Sequence, residues 1–101
     1  MLPDLTPFMR LRRYVAIAHH VPGRIRLKLD LRALAELPTV DPAPFAALLD
    51  RMQGVNSIRV NAAALSVVVD YDPAVVRAQD WERLLSEPPA DAERILASYI
   101  H

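Results

Sequence analysis

Residues 24–31 read RIRLKLDL, an unbroken alternation of charged and apolar side chains. Successive strand side chains point to opposite faces, so Ile25, Leu27, Leu29 and Leu31 fall on one side of an extended chain. Arg24, Arg26, Lys28 and Asp30 fall on the other. A strand with one apolar and one charged side packs a single face onto a core and leaves the other in water. Such strands belong to antiparallel sheets layered against helices.

Upstream, residues 14–21 (YVAIAHHV) are also rich in strand formers. Val21-Pro22-Gly23-Arg24 lies between the two runs, and proline followed by glycine suits a type II turn. Tight hairpins favour the primed turns, whose twist matches that of their strands. The expectation is therefore one long strand bent at a Pro-Gly bulge, with a hairpin as the alternative.

Downstream, Asp41 is a good N-cap and Pro42 suits the first helical position, where a missing N–H costs nothing. Phe45, Leu48, Leu49 and Met52 recur at helical spacing, and Gly54 stands where a left-handed cap belongs. Residues 55–60 (VNSIRV) and 65–71 (LSVVVDY) predict two strands joined through Asn61-Ala62-Ala63-Ala64, with Leu65, Val67, Val69 and Tyr71 inward. A helix is expected from about Asp80, with Trp81, Leu84 and Leu85 inward and Pro88-Pro89 as its stop. Asp91 is a candidate cap for a last helix with Ile95, Leu96, Tyr99 and Ile100 as its apolar stripe. The order predicts an α+β, ferredoxin-like domain over residues 14–101, βαββα with a helical C-terminus and helices on one face of a three-stranded antiparallel sheet. Residues 1–13, with Pro3 and Pro7 and no sustained periodicity, predict a mobile N-terminal arm.

A chain of 101 residues and 52% apolar composition suits one packed domain. It has no cysteine, which excludes disulfides, thiolate metal ligands and a cysteine nucleophile. No apolar run approaches the ~20 residues of a membrane span, and the opening MLPDLTPFMRLRR is no signal peptide, so a cytoplasmic location is expected. The zero net charge conceals a division. Residues 1–32 hold seven basic against two acidic side chains, a net +5, and residues 33–101 hold five against ten, a net −5. Such asymmetry accompanies acidic partners, or simply neutralises itself on folding.

The stretches HHVPGRIRLKL (residues 19–29) and MQGVNSIRVNAAALSVVVDYDP (residues 52–73) resemble the heavy-metal-associated domain family. The closer likeness is to a branch carrying His-x-x-Pro-Gly-Arg in place of the cysteine motif. The resemblance implies a ferredoxin-like fold and an accessory role in handling a transition metal or haem. In the wider family two thiolates on the loop after the first strand hold a soft ion. Here that loop, residues 30–40, contains no Cys, His or Met.

His19 and His20 are thus the candidate metal or haem ligands, since imidazole suits zinc, copper, nickel or haem iron. Neighbouring strand residues face opposite sides, so the pair chelates one ion only where the backbone leaves strand geometry. Arg24, Arg26 and Lys28 are the candidate interaction residues, an electrostatic stripe on an exposed strand face. The alternative function is a protein-interaction module without metal, meeting a partner or a second copy along an open edge of residues 24–31. The same charges serve equally well as guards of that edge. Nucleic acid ranks low because Tyr14 is the only aromatic near the stripe. No nucleophile–base or paired-carboxylate arrangement marks an enzyme.

Overall fold

The computed structural model describes residues 3–37 and 40–100. Residues 14–31 form a hairpin, not one bent strand. Strand β1 (Val15–Val21) turns through Pro22-Gly23 into β2 (Arg24–Leu29), with Val21 opposite Arg24. One long-range and one local feature accompany this turn. Gly23, at φ +92°, accepts a hydrogen bond through its carbonyl from the Tyr71 N–H at 3.0 Å. Ala18 is left unpaired between Ile17 and His19, and a bulge of this kind adds right-handed twist.

Strands β3 (Val55–Asn61) and β4 (Ser66–Tyr71) form the second hairpin, and the four strands run in the order β1-β2-β4-β3, antiparallel throughout. The architecture is α+β with a four-stranded antiparallel sheet, where three strands were expected. Strand β2 pairs with β1 on one side and β4 on the other, so the open edge expected at residues 24–31 is already covered.

Five helices accompany the sheet among the described residues: α1 (Thr6–Leu11), α2 (Arg32–Glu36), α3 (Pro42–Asp50), α4 (Ala78–Ser86) and α5 (Pro89–Tyr99). Helix α3 begins as its sequence dictates, with Asp41 Oδ1 accepting the Ala43 N–H at 3.0 Å. Phe45, Leu48, Leu49 and Met52 are buried, as are Ile25, Leu27 and Leu29 from β2 and Val67, Val69 and Tyr71 from β4. Leu31 is not part of that face; it is 70% exposed. Asp30 accepts the Arg32 N–H at 2.8 Å, and this local turn ends the strand before Leu31 can continue the alternation. Gly54 has φ +88°, and a Cβ there would lie 2.7 Å from Val75 Cβ, so close approach as well as backbone angle requires glycine. The last segment is helical, but α5 opens on Pro89 and not at an Asp91 cap. Asp91 sits in its first turn and pairs with Arg94.

The segment before Tyr14 departs from the expected arm. Thr6–Leu11 is helical, and Leu5, Phe8 and Leu11 belong to the core, with Phe8 stacked on Phe45 at 5.2 Å between ring centroids. Arg12, buried in the 3-10 turn Arg12–Tyr14, donates from Nε to the Leu84 carbonyl at 2.8 Å and from Nη2 to the Glu87 carbonyl. Those carbonyls lie at the C-terminal end of α4, which lacks intrahelical donors and favours a cation. Burial lowers the Arg12 pKa from its ordinary value. A second fastening joins α4 to α5: the buried Asp80 carboxylate accepts from Arg83 at 3.2 Å and from the Tyr99 hydroxyl. Beyond α5, Ile100 bridges to Met52 outside the sheet.

Candidate functional site

The helices bury one face of the sheet and leave the other open, and the bulge at Ala18 decides how the two histidines divide between them. Ile17 stands opposite Leu27 on the helix side. After one unpaired residue, His19 stands opposite Arg26 and His20 opposite Ile25. His20 therefore turns toward the core and His19 toward the open face; an unbroken strand would reverse the two. A second bulge at Asn56 does the same in β3, bringing Val55 and Ile58 inward together and sending Ser57 and Arg59 outward.

On the inner side, His20 Nε2 lies 2.7 Å from the Tyr71 hydroxyl. Tyr71 is tilted against Trp81, with ring centroids 5.3 Å apart. His19 and His20 do not converge on a common point. Among the described residues no group of three His, Cys, Asp or Glu side chains is placed to hold a metal ion.

On the open face, cross-strand partners form three rows that run across the strands. The first row is Val21, Arg24, Asp70 and Ser57. Arg24 Nε donates to Asp70 Oδ1 at 2.8 Å, and the Ser57 hydroxyl donates to Asp70 Oδ2 at 3.0 Å. These two hydrogen bonds, Arg24's first, hold the Asp70 carboxyl below the usual carboxylate range. Arg24 is thus neutralised within its own row.

The second row is His19, Arg26, Val68 and Arg59. Val68 stands opposite Arg26 on one side and Arg59 on the other, and both arginines are exposed. Among the described residues neither has a carboxylate within salt-bridge distance. His19, Arg24, Arg26, Arg59 and Val68 line a depression of about 290 Å³. The third row is Ala16, Lys28, Ser66 and Asn61, where Lys28 likewise has no carboxylate partner among the described residues. No Phe, Tyr or Trp stands in any row.

No protein-family model, curated protein or solved structure matches the chain. Of the three stripe residues expected from sequence, Arg24 is tied to Asp70, and Arg26 and Lys28 have no salt-bridge partner among the described residues. Sequence reasoning missed Arg59 and Val68. The period-two alternation of Ile58, Arg59 and Val60 was a usable signal for the first, but its alignment with Arg26 depends on the strand order and on the registers of β4 with β2 and β3.

Proposed function

We propose that this domain is a protein-interaction module that docks an acidic segment of a partner on the helix-free face of its sheet. The supporting observation is the charge on that face. Arg26 and Lys28 on β2 and Arg59 on β3, with β4 between those strands, point outward with no carboxylate in salt-bridge distance among the described residues, while Asp70, the acidic group of these rows, is hydrogen-bonded by Arg24 and Ser57. Complementary charge steers association and selects partners. The topology also supports a ferredoxin-like reading, as in the heavy-metal-associated domains that residues 19–29 and 52–73 resemble. With β2, β3 and β4 as first, second and third strands, β1 takes the place of the fourth.

Isotope-labelled protein titrated with an octa-glutamate peptide tests the docking face. Resonances of Ala16, His19, Arg26, Lys28, Arg59 and Val68 are expected to move, and binding to weaken steeply as salt shortens the screening length to about 3 Å near 1 M. Shifts confined to the helical side, or binding unchanged in an Arg26→Glu, Arg59→Glu double variant, would refute it.

A further inference from the structure

Resting on that docking face, we infer that Arg26 and Arg59 form a clamp for a single tetrahedral dianion, so that the partner segment presents a phosphorylated side chain over Val68. Neighbouring strands lie about 4.8 Å apart, which roots the two arginines about 10 Å from each other with one valine between them. Both are cross-strand partners of that same Val68. Two long side chains flanking one short apolar floor leave a gap that neither fills. The depression of about 290 Å³ over Val68 is that gap.

The charges select the occupant. A phosphomonoester carries roughly −1.5 to −2 at neutral pH and offers three acceptor oxygens, so it satisfies both guanidiniums at once. A carboxylate offers one negative charge and two oxygens, and leaves one arginine unmatched. Arginine's planar fork suits bidentate contact with phosphate oxygens. Asp70, in the neighbouring row, is hydrogen-bonded to Arg24 and Ser57, and Arg59 acts on it only as a weaker through-space attraction, with no salt bridge between the two among the described residues. His19, opposite Arg26, closes the β1 end of the row with a further nitrogen donor or acceptor. Single-stranded nucleic acid is the other phosphate-bearing polymer, but a sheet that binds it needs exposed aromatic rings for stacking, and these rows contain no Phe, Tyr or Trp.

The probes are capped phosphoserine, capped glutamate and dimethyl phosphate, each titrated into the whole protein and followed at the Arg26 and Arg59 Nε–H signals and the Val68 methyls. Capped phosphoserine is expected to shift all three groups saturably and to bind at least about tenfold tighter than capped glutamate. Arg26→Gln and Arg59→Gln should each weaken it by about tenfold, while Arg51→Gln, exposed at the end of α3 and outside the open face, should leave it within about twofold. Unchanged thermal unfolding of these surface variants establishes that they remain folded. Equal affinity for phosphoserine and glutamate, with octa-glutamate still binding the face, overturns the clamp and leaves the docking face standing. Loss of octa-glutamate binding as well overturns both. Dimethyl phosphate binding as tightly as phosphoserine overturns the clamp in favour of a phosphodiester, the signature of nucleic acid.

Discussion

The two faces of one sheet are built from alternate residues of the same four strands, yet they obey different rules. On the helix side, Ile25, Leu27, Val67 and Val69 are almost wholly buried, and each exists to exclude water from the others. On the open side, Arg24, Arg26, Lys28 and Arg59 stay exposed, and their arrangement contributes little to holding the fold. The difference teaches that packing sets stability on one face and that charge placement is free to serve recognition on the other. Substitutions on the helix side should cost stability, and those on the open side should cost binding.

Phe8 gives the largest test of that separation. If the N-terminal helix is part of the buried layer, Phe8→Ala should destabilise the protein by about 3–5 kcal/mol, measured by urea unfolding, because it empties a site stacked on Phe45. A loss within about 0.5 kcal/mol would return residues 3–11 to the status of an arm.

Arg12 blurs the comparison, since it is a charged side chain that serves the core. Arg12→Met keeps the aliphatic bulk but strands the carbonyls of Leu84 and Glu87. The expected cost is about 1–3 kcal/mol by the same measurement, with hydrogen exchange rising first at the end of α4. An unchanged unfolding midpoint would show that water satisfies those carbonyls equally well.

The smallest effect belongs to the open face. The Asp70 pKa is held below its ordinary value, so the Arg24 pair is complete above about pH 4 and disappears as pH falls through the folded value. Wild-type protein should therefore lose a small increment of stability on acidification that Asp70→Asn does not lose. Identical pH profiles for the two would mean that the Arg24–Asp70 pair contributes nothing measurable, as for many exposed ion pairs.

Much of the architecture was legible in short windows. The alternation in residues 24–29 and 66–71, the Asp41-Pro42 start of α3 and the helical C-terminus all follow from the local period of a strand or a helix. The turn at Pro22-Gly23 was legible as a turn but not as a hairpin, because the hydrogen bond from Tyr71 that supports it comes from another strand pair. Thr6–Leu11 was not legible as structure. Six residues hold too little helix to persist alone, and Phe8 becomes informative only once Phe45 is beside it.

The candidate site divides the same way. That Arg26 and Lys28 face water, and that the chain offers no thiolate, was determined by sequence alone, because side-chain alternation and elemental composition need no tertiary contact. Which histidine turns inward, and that Arg59 stands across Val68 from Arg26, was decided only by the folded chain. A one-residue bulge reverses the face of every side chain beyond it, and strand order places residues side by side that lie dozens of positions apart in sequence. Local periodicity contains neither piece of information.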